Sequence, residues 1–171
     1  MAAAYNIPIT ERDACAYGRS LPISTKTSVE LCKALKNKTY AAAKEYLLLI
    51  MEEKAVVPFM RYKHNIGHRK GPFAAGRYPY NVSKFVLQIL ESAASNATNK
   101  GFASGDLIIK HISAHQGPKT MHSGRHRGKA KKTHVQVILT EKKMTNEKKQ
   151  QKKAVLKNKE TKKNEEKKVV S

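Results

Sequence analysis

The chain has 171 residues, of which 34 are Lys or Arg and 13 are Asp or Glu, giving a net charge of +21 at neutral pH. That excess is beyond what solubility requires and points to a polyanionic partner, nucleic acid first, while 40% hydrophobic content suffices for one modest core. No run of eighteen apolar residues is present, residues 1–10 lack the basic flank and apolar block of a signal peptide, and Cys15 and Cys32 form no CxxC. A membrane span, a secreted disulfide scaffold and a zinc ribbon are therefore not expected, and the protein is expected to stay inside the cell.

The first legible element starts at Thr27-Ser28-Val29-Glu30, which has the form of a capping box: a hydroxyl caps the N3 amide and Glu30 reaches back. Val29, Cys32 and Leu35 follow at helical spacing. Thr39 is placed to cap a second helix over residues 40–51, which must stop before Pro58, and the apolar run Leu47 to Ile50 predicts deep burial. Residues 61–79 then mix Gly, Pro, basic and aromatic side chains in a loop. A third helix is the clearest element: Val82, Phe85, Val86, Ile89, Leu90, Ala93, Ala94 and Ala97 keep the i, i+3, i+4, i+7 pattern and end near Gly101. Its row of alanines predicts close approach of a neighbour.

Residues 107–114 and 133–140 are short, β-branched and partly alternating, and predict an antiparallel pair of strands. The eighteen residues between them, His115 to Lys132, exceed what a tight hairpin needs and carry almost no apolar side chain. From Lys142 onward twelve Lys and four Glu fill the last thirty residues; that segment cannot bury a core and is expected to be disordered or conditionally helical. Without it, residues 1–141 still carry twenty-two basic and nine acidic side chains, a net +13. Helices followed by strands fit an α+β fold.

The chemistry concentrates in the two loops. The first offers Arg61, Tyr62, Lys63, His64, His68, Arg69, Lys70, Arg77 and Tyr78, with Lys84 just beyond; the second offers Lys119, His122, Arg125, His126, Arg127, Lys129, Lys131 and Lys132. Lys and Arg meet phosphates, and aromatic or guanidinium planes stack on unpaired bases, so these residues are the expected RNA contacts. Glycines 117, 124 and 128 serve either close phosphate approach or ordinary turns. Three His-x-x-x-His pairs occur, at 64/68, 111/115 and 122/126, but none falls on a predicted helix or has a completing ligand, so neither a metal nor a cofactor is expected. His111 reads as a satisfied structural histidine. No nucleophile elbow, phosphate-binding glycine loop, dinucleotide fingerprint or paired carboxylates appear, and no enzyme activity is expected. A DNA- or chromatin-binding protein is the main alternative, since lysine-rich tails bind duplexes through counterion release; no helix-turn-helix, zipper or finger accompanies this one.

Four ordered segments carry a family resemblance: Val57-Pro-Phe-Met-Arg-Tyr62, Gly76-Arg-Tyr-Pro79, Glu91-Ser-Ala-Ala-Ser-Asn-Ala97 and His134-Val-Gln-Val-Ile-Leu-Thr-Glu141. Together they resemble the large-subunit ribosomal protein L twenty-two family, L seventeen in many eukaryotes, in its archaeal and eukaryotic branch. The resemblance implies that the α+β fold is three helices on a small antiparallel sheet with a long extended hairpin. It implies a structural constituent of the large subunit in cytosolic ribosomes, supporting assembly and translation. Its partners would be large-subunit rRNA, neighbouring ribosomal proteins and the nascent chain. It also implies an organisation: an N-terminal extension over 1–17, an RNA-binding α+β domain over 18–141 whose hairpin spans 107–141, and the tail 142–171. By position, Met121, His122, Ser123, Gly124, Arg125, His126, Arg127, Gly128 and Lys129 would form the hairpin tip at the peptide exit tunnel. The stretch between His115 and Thr133 is shorter than the family leads one to expect.

Overall fold

The computed structural model describes residues 7–125 and 128–141; His126 and Arg127, and the tail 142–171, lie outside the described residues. The expected α+β class is the one observed. A three-stranded antiparallel sheet has the order β1-β5-β4, where β1 is Asp13–Leu21, β4 Leu107–Gln116 and β5 Thr133–Glu141. Helices α1 (Thr25–Leu35), α2 (Tyr40–Met51) and α3 (Tyr80–Asn99) pack over one face. The short strands β2 (Val57–Pro58) and β3 (Gly76–Arg77) pair as a separate ribbon.

The last strand in sequence is the middle strand in space, and its composition fits that position. Val135, Val137 and Leu139 point into the core, while Gln136 and Ile138, facing the other way, are also buried. Helix α3 lies against β1 and β5, and α1 against β4. Helix α3 packs against both β1, which presents Ala14, Ala16 and Gly18, and α2. A Cβ at Gly18 would sit 2.4 Å from Ile89 Cδ1, so Ile89 of α3 packs directly over the glycine. The Asn96 amide then donates to the Cys15 carbonyl at 2.9 Å, tying helix to strand.

Several expectations need correction. The boundary at residue 17 falls inside β1, whose residues from Asp13 onward pair with β5; the folded part takes in the end of the presumed extension because its strand partner lies far away in sequence. Helix α1 begins at Thr25 after Ser24, not at a Thr27–Glu30 capping box, and Glu30 is 1% exposed with its carboxylate turned to another segment. Phe85 is half-buried at the margin of the core, because α3 turns Val82, Val86 and Leu90 more squarely inward. Helix α2 does take its cap from Thr39, whose hydroxyl accepts from the Ala42 amide, and buries Leu47 and Ile50 completely; Leu48 on its outer side is 40% exposed.

Two side chains tie the sheet further. Asp13 of β1 is wholly buried and its Oδ2 accepts from the Thr10 amide (2.9 Å), the Thr10 hydroxyl (2.7 Å) and Lys110 of β4 (2.7 Å), so a salt bridge links the two outer strands across β5. Burial alone would raise the Asp13 pKa, but the bonds from Lys110 and Thr10 outweigh it and hold the carboxyl below its ordinary value. His111 is not the satisfied histidine expected: its Nε2 is buried without a hydrogen-bond partner. Burial, with Lys36 and His115 nearby, lowers its pKa.

Candidate nucleic-acid interface

The first basic loop leaves and re-enters the body at fixed points. β2 and β3 pair at its neck, Phe59 N–H donates to the Ala75 carbonyl at 2.9 Å, and Phe59 itself is buried as an anchor. Gly76 is required there, since a Cβ would lie 2.3 Å from Val56 Cγ1. Inside the loop His68 Nδ1 meets the Ala74 carbonyl at 2.8 Å, a structural use of one predicted RNA contact. Arg61, Lys63, His64, Arg69, Lys70 and Arg77 are exposed, while Tyr62 and Tyr78 are half-buried. Each tyrosine ring carries cations: Arg61 lies 5.5 Å and Lys26 5.8 Å from the Tyr62 centre, and Arg69 lies 5.2 Å from that of Tyr78.

The second loop continues from β4 and β5 as an arm. The regular ladder ends at Gln116 and Thr133, but Gly117 N–H donates to the Lys132 carbonyl, Ala130 to Thr120 and His122 to Gly128, at 2.8, 2.8 and 2.9 Å. Met121 faces Lys129 across this irregular ribbon. Lys119, His122, Arg125, Lys129 and Lys131 are exposed along it and Lys132 is half-buried; Met121 is 68% exposed.

Buried Thr133 joins the arm to α1. Its hydroxyl donates to the Ile23 carbonyl at 2.7 Å, so at 2.9 Å it must accept from the Thr25 hydroxyl. This fixes the start of α1 at the base of the arm and opens a cleft of about 550 Å³ between them, lined by Ser24, Thr25, Lys26, Tyr62, Gln116, Lys119, Lys129, Ala130, Lys131 and Lys132. Two smaller hollows adjoin it around the same Ser24: one lined by Lys26, Tyr62, His64 and Arg77 among others, the second by Arg77, Tyr78 and Lys131. Among the described residues no carboxylate lines any of the three. Arg77 of the first loop, Lys26 of α1 and four lysines of the arm thus converge on one concave surface, where their fields add and where a phosphate backbone can meet several of them at once.

Not every predicted contact joins this surface. Lys84 is exposed on α3 and lines none of the three hollows; His122 and Arg125 stand further along the arm. Lys26 was missed. It precedes the supposed capping box and lies far from both loops in sequence, and only the position of α1 beside the arm reveals it. Among the described residues no group of three or more His, Cys, Asp or Glu is placed to hold a metal. None of the described helices is long and apolar enough to cross a membrane.

The family model described as ribosomal protein L22p/L17e matches residues 16–140. Among curated proteins, the chain is 41% identical over 133 residues to the large ribosomal subunit protein uL22 of Methanococcoides burtonii, covering 77% of this chain and 87% of that protein. It is 40% identical over 140 residues to the protein of the same name from Methanococcus aeolicus, covering 76% and 90%. The uL22 of Nanoarchaeum equitans shares 38% over 142 residues, covering 78% and 81%. With an α+β body, a basic concave surface and matches of this length to archaeal relatives, the chain belongs to the ribosomal protein L22p/L17e family.

Proposed function

We propose that this chain is a structural, non-catalytic constituent of the large ribosomal subunit that binds large-subunit rRNA through the concave surface around the start of α1. The observation that carries the reading is the convergence of Lys26, Arg77, Lys119, Lys129, Lys131 and Lys132, with Tyr62 and Tyr78, on hollows that no acid among the described residues lines. Such a surface neutralises phosphates that folded RNA packs together, and it leaves aromatic edges for unpaired bases. Arg61, Lys63, His64, His68, Arg69, Lys70 and Lys84 extend the contact outward, and neighbouring ribosomal proteins share the remaining perimeter. The arm carries Met121 to Lys129 away from the body, toward the peptide exit tunnel and the nascent chain, in cytosolic ribosomes.

The test is sedimentation of cell extract through sucrose in magnesium buffer, following this protein and both subunit RNAs across the gradient. Cofractionation with large subunits and translating ribosomes that survives a high-salt wash is expected. Recovery with chromatin or in light fractions would overturn the ribosomal reading in favour of a duplex-binding one.

A further inference from the structure

Glu30 sits in the middle of α1 between the core residues Leu31 and Cys32 and the loop that carries the first set of cations. It is 1% exposed, and it belongs to a protein in which basic side chains outnumber acidic ones by 34 to 13. A carboxylate removed from water needs strong partners. It finds them in three successive main-chain amides: Arg61 N–H at 2.7 Å and Tyr62 N–H at 2.9 Å on Oε1, and Met60 N–H at 3.4 Å on Oε2. Among the described residues it forms no ion pair with any Lys or Arg. The charge is therefore used on the backbone, and the side chains of Arg61, which lies over the Tyr62 ring, and Lys63 stay exposed.

We infer that Glu30 is the positioning residue of the RNA-binding loop: its buried carboxylate clamps Met60–Tyr62 and thereby aims Arg61, Tyr62 and Lys63 at RNA. The two limbs are held together at the neck by the β2–β3 pair and by Phe59 on Ala75, which leaves the stretch just beyond Phe59 to be fixed by Glu30. Without Glu30 residues 60–62 have three amides to satisfy with water and lose their hydrogen bonds to α1, the helix whose start forms the basic cleft. Because the acid is buried, an approaching phosphate does not meet it at the surface. The inference rests on the reading of residues 61–77 as RNA-binding.

Charge alone and positioning predict opposite signs. Glu30→Gln raises the net charge by one, which by counterion release should tighten RNA binding. Positioning predicts weaker binding, because the amide keeps one neutral acceptor and turns an NH₂ toward the Met60 N–H. Glu30→Asp keeps the charge but withdraws it by one methylene, and answers the same question should the glutamine variant fail to fold.

The experiment measures binding of the full chain to large-subunit rRNA extracted from its own ribosomes at several KCl concentrations. Amide exchange is followed in parallel, and a Lys63→Ala/Arg69→Ala/Arg77→Ala variant serves as the loop control. The expected result for Glu30→Gln or Glu30→Asp is a rise in Kd of about tenfold and a shallower salt slope. Amides 60–62 should exchange faster while those of α3 and the sheet stay as protected as in the wild type. Wild-type or tighter binding by the folded Glu30 variants, with the triple variant weakened, would overturn the positioning role and leave the loop's RNA contact standing. A triple variant that binds like the wild type would overturn the loop reading itself, and the inference with it.

Discussion

Asp13→Asn tests the tie between the outer strands. In the wild type the buried Oδ2 gathers the Thr10 amide, the Thr10 hydroxyl and the Lys110 ammonium, while Oδ1 is buried with no partner. Asparagine keeps an acceptor for Thr10 and exchanges one unpaired buried atom for another, so the main loss is the charge in the bond to Lys110. Hydrogen bonds to charged groups contribute about 1.5–3 kcal/mol when desolvated. The Lys110 side chain is 36% exposed, and solvent screening pulls its share toward that of a surface pair. The net expectation is a loss of about 1–2 kcal/mol at pH 7, seen as a urea midpoint lower by roughly 0.5–1 M. Lys110→Met in the variant background should then cost little more, because its partner charge is already gone. The pH dependence has a defined sign: a carboxyl held below its ordinary value of 3.8 contributes stability that is full above its unfolded pKa and is lost as pH falls through the lower folded value. The gap between wild type and variant should therefore shrink below about pH 4. An unchanged midpoint at pH 7, or a gap that persists into acid, would refute the argument.

Other expectations follow from burial. Leu90→Ala should cost about 2–5 kcal/mol in equilibrium denaturation, and Phe85→Ala less, about 1–2 kcal/mol, because its ring is only half-buried; the reverse order would mean that the inward face of α3 is misassigned. Burial pushes the Cys32 thiol up to about 12, so an aromatic disulfide reagent at pH 8 should label Cys15 first and Cys32 only on unfolding. The His111 imidazole, lowered from 6.5, contributes stability above that value that is lost as pH falls through its folded pKa. His111→Phe should flatten the acid limb of the stability curve just below pH 6.5, and an unaltered limb would assign that titration elsewhere.

What could be read from the sequence followed periodicity. Helix α3 and the strands β4 and β5 announce themselves because one face of each repeats Val, Ile, Leu or Ala at a fixed interval. β1 does not: Asp-Ala-Cys-Ala-Tyr-Gly lacks β-branched residues, because the closeness of α3 demands small side chains on that strand. The basic loops were legible as composition, but their convergence was not, since it depends on Thr133 pinning Ile23 and Thr25 across more than a hundred residues. Lys26 was lost with it. Glu30 misled for a physical reason: the Thr-x-x-Glu spacing is shared by a capping box and by any acid one turn into a helix, and only the tertiary partner decides between them.

The placement of β5 bears on the order of events during synthesis. β1 and β4 leave the ribosome with no strand between them, and the sheet cannot close until residues 133–141 have been made. The contacts that then form are among the most distant available, as with the Thr140 hydroxyl donating to the Arg12 carbonyl across 128 residues. Such long-range closure is slow and leaves strand edges open in the meantime, in a chain whose positive charge also opposes compaction. A newborn copy is thus an aggregation hazard until its last strand arrives, and early engagement with RNA would shorten that interval.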